Sequence, residues 1–419
     1  MKKRILFISE TVTMAHLIRP LTIAKGLSLA DYDIHFAATK IPEFLIKDFS
    51  NFTLHQVQNG VSEADFLKAI AKGQHPYSKE ILKEYVEEDL RLLYSIKPDI
   101  IVGDMRLSLH ISSQLTHIPY INISNSTWDP SIELPTLIPD IPAVKYFGVK
   151  LTKQIFSLLR TKIFNNLATP FNETAKYYGV SSYGSYYDVL TSGDYTLYTD
   201  LKSLVDLKKS NSSKFSIGAL VYGLDSINLP QTKLPKKTNK RVILSLGSSG
   251  PSNKLEEMVT ALSTLNIELI VATGGKKLSI SPRSNVFIFD YIPMNEILKT
   301  ADLLIFNGGS GSGYLALSNG VPLLCVPSNI DQHQFSYIIE KLGAASIIRS
   351  DKISSETLVT TVKKMLSNNN FKTISHILAN EMKAENPIYE IDQVLKHLIG
   401  PSEKKSALRL TDFKLNKAL

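Results

Sequence analysis

The chain has 419 residues, 43% hydrophobic and 21% charged, which suits two globular domains of roughly 200 residues each and excludes a disordered chain. Its formal net charge of +8 comes from dispersed Lys and Arg without a recognition motif, so we read a solubilising surface and set nucleic-acid binding aside. The single cysteine, Cys325, rules out an internal disulfide, and no apolar run reaches the ~18 residues of a membrane span.

In chain order, Arg4–Ser9 is an apolar run fit for a buried parallel strand. The apolar part that follows the opening MKKR is too short for a secretion signal, so a cytoplasmic location is expected, with peripheral contact to a membrane left open. Leu17–Leu29 has helical periodicity, and Asp33–Ala38, Ile100–Val102 and Tyr120–Ile123 read as further strands. Residues 145–168 form a basic amphipathic stretch. A packed surface helix is the first reading and a membrane-touching or acceptor-lining helix the second. Tyr222–Lys240, rich in Pro, Lys and polar residues, reads as a linker. A second series of strand-like runs follows at Arg241–Leu246, Ile267–Ala272, Val286–Phe289, Leu303–Phe306 and Val321–Val326.

The expected fold class is therefore α/β, with two Rossmann-like, doubly wound parallel sheets facing across a cleft. Residues 1–221 would form an N-terminal domain and 222–240 the linker. Residues 241–400 would form a C-terminal domain, followed by a basic tail over 401–419. Open sheets of this kind bind ligands beyond the carboxyl ends of their strands.

The stretch IFNGGSGSGYLALSNGVPLLCVP, residues 305–327, crowds glycine and serine between two β-forming runs. Leu303–Phe306 reads as a strand, Asn307-Gly308-Gly309 as a turn, and Ser310–Ser318 as the start of a helix. Unsatisfied amides at such a helix start attract an anion, and glycine allows close approach of a phosphate. No Gly-Lys-Ser/Thr follows, so this is not a Walker A loop, and the glycine spacing does not fit a dinucleotide fingerprint. Tyr291 ends the strand-like run before the turn, where it reads as either a core aromatic or a stacking ring. Asp331 and Gln332 follow the next strand, where Asp331 can also cap a helix. A ring, an anion cradle and a carboxylate–amide pair are what a nucleotide diphosphate-sugar requires.

Taken in order, Tyr291-Ile292-Pro293, the NGGSGS turn, Gly320-Val321-Pro322, Pro327 and Asp331-Gln332 resemble the donor signature of the family-1 inverting glycosyltransferases. That family includes the UDP-glucuronosyltransferases and bacterial macrolide glycosyltransferases. ILFISETVTMAHLIRPLTIAKGL resembles the family's opening strand, His-containing loop and helix, and Ser245-Leu246-Gly247-Ser248 its SxGS turn. The resemblance implies the GT-B fold and metal-independent transfer. The only small molecules it calls for are a UDP- or TDP-sugar co-substrate and a small-molecule or lipid acceptor, with no separate cofactor. It implies that Tyr291 lies beside the base, that Asn307, Gly309, Ser310, Gly311, Ser312 and Ser248 surround the diphosphate, and that Asp331 and Gln332 bind the sugar.

His16 lies between the first strand and helix, where an imidazole can take a proton from an attacking hydroxyl. Asp104 ends another strand and resembles the family aspartate that pairs with such a histidine, holding its tautomer and stabilising imidazolium. Trp128 and the apolar segment running to Phe171 suit an acceptor pocket, although core packing explains the same residues. The departures from the pattern are Asn307 where the family usually has an ionisable histidine, Met294 for a common glutamine, and Ala15 for a common glycine. The expected function is inverting transfer of a hexose to a hydroxyl of a small hydrophobic or lipid-like acceptor. The competing readings are a nucleotide-sugar-binding protein with weak or no catalysis and a GT-B UDP-sugar epimerase.

Overall fold

The computed structural model describes residues 2–62, 65–66, 69, 76–204, 213–221, 236–247, 250–281 and 283–400. Ser248, most of the expected linker and the expected basic tail lie outside the described residues.

Two compact units are present, and each is built on a parallel sheet. The first comprises Met1–Glu133, Arg160–Leu220 and Asn386–Leu419. Its seven strands are β1 (Lys3–Ser9), β2 (Tyr32–Ala38), β3 (Thr53–Gln56), β4 (Ile100–Asp104), β5 (Tyr120–Ser124), β6 (Tyr195–Tyr198) and β7 (Lys214–Ser216), in the spatial order β3-β2-β1-β4-β5-β6-β7. The second comprises Leu134–Leu159 and Val221–Glu385. Its six strands are β8 (Arg241–Ser245), β9 (Glu268–Ala272), β10 (Val286–Phe289), β11 (Leu303–Phe306), β12 (Leu323–Cys325) and β13 (Ala345–Ile347), in the order β10-β9-β8-β11-β12-β13. Helices on both faces leave the central strands almost dry, which is why they read as unbroken apolar runs. Ile5, Leu6, Phe7 and Ile8 of β1 and Leu303, Leu304 and Ile305 of β11 are all fully buried.

In both sheets the chain leaves the first strand toward one side and later returns to pair on its other side. β1 lies between β2 and β4, with Ser9 opposite Asp104. β8 lies between β9 and β11, with Ser245 opposite Phe306. Strand order reverses at these two points, so the loops that follow diverge and leave a crevice at the carboxyl ends.

Unit membership departs from the division expected at residues 221 and 241. The segment Leu134–Leu159 belongs with the second unit and the helix Pro387–Ile399 with the first. That helix is held by specific contacts: Ile388 packs against Gly26, Tyr32 donates to Asp392 at 2.7 Å, and Lys202 pairs with Glu390 at 2.6 Å. The basic stretch near 145–168 lies within the helical element Pro142–Tyr178, which is interrupted at Gly148, whose φ of 72° is left-handed. Thr152 donates to the Gly148 carbonyl at 2.8 Å and so satisfies a group beside the break.

Candidate functional site

The carboxyl end of β1 passes into the helix Met14–Gly26, which places His16 in its first turn and Arg19 one turn further on. His16 Nδ1 lies 2.8 Å from Oδ1 of Asp104, the last residue of β4. The His16 side chain is 21% exposed and that of Asp104 1%, so the ring reaches the surface from a buried anchor. In the tautomer with the proton on Nδ1, this carboxylate accepts it and the Nε2 lone pair is left to take a proton; Arg19 Nη2 also stands 3.1 Å from Nδ1.

Asp104 has a second partner that the sequence reading missed. Arg19 Nε donates to Oδ2 at 2.8 Å and Nη2 to Oδ1 at 2.7 Å, the bidentate fork typical of guanidinium and carboxylate. Arg19 Nη1 also donates to Asn125 Oδ1 at 2.6 Å, and Asn125 in turn donates to Asp200 at 3.2 Å. The sequence signal was present: a lone arginine sits in the otherwise apolar helix face Leu17, Ile18, Leu21, and a buried arginine requires an anion. Asp104 therefore serves two cationic or proton-bearing partners, and Arg19 makes its burial tolerable.

Glu10 follows β1 directly, and its backbone N–H donates to the Asp104 carbonyl at 3.1 Å. Burial pushes its carboxyl up to about 7, opposed by Arg106, whose Nη1 lies 3.7 Å away. Trp128 sits half-buried on the short turn Ser126–Trp128, packed against an aromatic cluster that contains Tyr183, Phe171 and Tyr186. Tyr187 stacks on Phe164 with centroids 4.2 Å apart and tilts against Trp128 at 6.5 Å.

The second unit carries a separate group of candidate residues around its glycine turn. Asn307 follows β11 and is buried, and its Oδ1 accepts from the Gly309 N–H at 3.2 Å. This is an Asx-type turn, in which the side chain copies a backbone acceptor and fixes the loop. Gly308 has φ 83°, and a Cβ there would lie 2.4 Å from Ser336 Oγ, so conformation and space both require glycine. Gly313 is excluded from substitution by the Phe335 ring, 2.3 Å from where a Cβ would stand. The helix Ser310–Ser318 begins at the N-cap Gly309. Gly309 and Ser310 are half-buried, Gly311 is buried, and Ser312 is exposed at the mouth of the turn.

Tyr291 is 58% exposed beside the Gly274-Gly275 loop, which removes the reading of a core aromatic. At the end of β12 the helix cap differs from expectation. Asn329 is the N-cap, accepting from Gln332 N at 3.0 Å, whereas Asp331 lies in the first turn. Gln332 is buried; its Oε1 accepts from Asn329 N at 3.4 Å, completing a capping box, and also from Ser328 N at 2.9 Å.

Asp140 adjoins this helix start and was absent from the sequence reading. Its carboxylate accepts from Arg349 Nη2 at 2.6 Å and Asp351 N at 3.1 Å, and from the Ser350 hydroxyl. His333 Nε2 stands 3.4 Å from the same group. The Asp140 N–H also donates to the Ser328 carbonyl at 2.7 Å. Loop residues this distant in sequence carry no local pattern that would have revealed the cluster.

Two parallel α/β sheets, each with its strand order reversing beside its first strand, define a GT-B architecture, and comparison with known proteins agrees. Residues 256–398 match the family model "Erythromycin biosynthesis protein CIII-like, C-terminal domain". A PGL/p-HBAD biosynthesis glycosyltransferase of Mycobacterium tuberculosis (strain ATCC 25177 / H37Ra) is 34% identical over 380 residues, covering 90% of this chain and 88% of the relative. A PGL/p-HBAD biosynthesis rhamnosyltransferase of Mycobacterium bovis (strain BCG / Pasteur 1173P2) is 32% identical over 382 residues, covering 90% and 84%. The crystal structure of the kitacinnamycin glycotransferase superposes with a TM-score of 0.70 at 16% identity, covering 95% of this chain and 99% of that one. The chain belongs to the family-1-like GT-B glycosyltransferases and is an enzyme of sugar transfer.

Proposed function

We propose that the protein is an inverting glycosyltransferase that moves a hexose from a UDP- or TDP-sugar to a hydroxyl of a small hydrophobic or lipid-like acceptor. The observation that carries this reading is His16, anchored through Nδ1 to buried Asp104, with its ring at the surface of the β1/β4 crevice. The acceptor O–H gives its proton to His16 Nε2 while the oxygen attacks the anomeric carbon. The bond from that carbon to the diphosphate oxygen breaks on the opposite face, and the nucleoside diphosphate departs with the electron pair. Inversion follows from the single displacement.

In this reading the backbone amides of Gly309, Ser310, Gly311 and Ser312 receive the diphosphate at the start of their helix, where the dipole favours an anion. Asn307 sets the shape of that turn in place of a cationic contact. Exposed Tyr291 offers a ring to the base. Asp331 at the helix start is the sugar contact we assign, and Gln332 supports it by fixing residues 328–329. The mycobacterial relatives that bear transferase names favour turnover over simple donor binding, and the name of one of them makes a deoxyhexose a donor worth including.

The test is a transfer assay of His16→Ala against a panel of UDP- and TDP-sugars. The turnover number should fall by about 10²–10⁴, the usual contribution of a positioned base, while thermal stability changes little because the ring is partly exposed. Undiminished turnover by His16→Ala would remove the base assignment.

A further inference from the structure

The helical element Pro142–Tyr178 carries an apolar face that no part of the described protein covers. Leu151, Ile155, Leu158 and Leu159 recur at the i, i+4, i+7 and i+8 spacing of one helical stripe, and all are exposed, Leu158 to 85%. Tyr146, 78% exposed, and Phe147 add two exposed aromatic rings just before the break at Gly148. A soluble protein rarely leaves so many large apolar side chains contiguous in water without a use for them. The inward side of the same helix is accounted for, since Thr152 is buried and bonded to Gly148 and Ala143 carbonyls, and Phe164 is buried against Tyr187. The uncovered stripe is therefore additional to the packing face.

Charge selects the occupant. Lys145, Lys150, Lys153 and Lys162 are exposed along the same segment, and the sequence from Ile141 to Asn172 holds no Asp or Glu. Arg160 is committed elsewhere, donating to the Tyr187 hydroxyl at 2.6 Å. An apolar stripe accompanied by lysines with no acidic residue is the composition of a helix that lies in the interface of an anionic bilayer.

We propose that this helix is a docking surface for anionic lipid membranes, with Tyr146, Phe147, Leu151, Ile155, Leu158 and Leu159 entering the acyl boundary and the lysines facing the head groups. The helix would lie in the membrane plane, since none among the described residues is long and apolar enough to cross one. Docking of this kind brings the enzyme to apolar molecules dissolved in the bilayer, and it does not depend on His16 or on the glycine turn.

Flotation of the full chain with phosphatidylcholine vesicles, with and without phosphatidylglycerol, tests the proposal. Binding is expected only where phosphatidylglycerol is present and should weaken as salt is raised. Leu151→Ser/Leu158→Ser should lose at least tenfold in vesicle affinity, and Lys150→Gln/Lys153→Gln about fivefold per lysine. Because these side chains are exposed, circular dichroism and thermal midpoint should match the parent, and the lysine pair provides an independent arm if the serine pair fails to fold. No flotation with the anionic vesicles would overturn the proposal, as would equal binding by both variants. It would also be overturned by a dimer in solution that Leu158→Ser converts to monomer, which would assign the face to a second copy.

Discussion

Arg19 is the residue on which the buried member of the His16–Asp104 pair depends, and its replacement gives the sharpest test of how the pair is held. Arg19→Met removes two guanidinium hydrogen bonds of 2.8 and 2.7 Å from Asp104 and one of 2.6 Å from Asn125. What remains is a carboxylate, 1% exposed, whose surviving side-chain partner in the group is His16. Stranding a buried charge in this way costs about 3–5 kcal/mol. For a domain of ~150–250 residues that corresponds to a fall of roughly 6–20 °C in the midpoint of the first unit's unfolding. Asp104→Asn leaves the Arg19 charge facing neutral amide oxygens at residues 104 and 125 in place of a carboxylate and should cost a similar amount. The double variant Arg19→Met/Asp104→Asn removes both charges together. Its destabilisation should fall short of the sum of the two singles by at least ~2 kcal/mol, the signature of direct coupling. Differential scanning calorimetry of all four proteins closes the cycle. Additive losses would refute the assignment of Arg19 as the partner that makes a buried Asp104 tenable.

Three further outcomes follow from particular contacts. Glu10 has its carboxyl raised by burial from 4.5 to about 7, so the folded chain holds a proton that the unfolded chain has released between those values, and stability falls as pH rises through that window. Glu10→Gln should therefore gain in thermal midpoint relative to the parent at pH above 7 and lose that advantage below pH 4.5, checked by melts across the range. Gly313→Ala forces a methyl to 2.3 Å from the Phe335 ring and should cost about 1–3 kcal/mol, partly recovered by adding Phe335→Leu; a melt unchanged from the parent would contradict the packing. Asn307→Ala frees the Gly309 amide from its 3.2 Å bond and should loosen the turn, raising the dissociation constant for UDP several-fold by calorimetric titration while turnover at saturating donor changes less.

The sheets were legible because buried parallel strands write themselves as apolar runs. Leu303–Phe306 matches the expected limits and Arg4–Ser9 differs by one residue, while the part-exposed edge strand Val286–Phe289 was legible from its β-forming residues alone. The pairing of His16 with Asp104 could also be read, since both follow strands that end in the same crevice. Arg19 was overlooked because it sits within an apolar helix pattern, and its meaning appears only once a carboxylate is found beneath it. Asn307 was read mainly for the charge it lacks. Its bond to Gly309 shows that an uncharged side chain does a separate task there, one that depends on φ and ψ and not on residue type alone. Asp140 and Arg349 are separated by 209 residues, and local pattern carries no information over such a distance.

The membership of Leu134–Leu159 in the second unit bears on how these enzymes can be recombined. A chimaera joined near residue 221 takes Asp140 from one parent and Arg349, Ser350 and Asp351 from the other, so four hydrogen-bonding partners are drawn from two sequences. The same junction separates Ile388 from its seat at Gly26 and Asp392 from Tyr32. A parental exchange that respects the physical units would move residues 134–159 together with 236–385 and leave the last helix with the N-terminal parent.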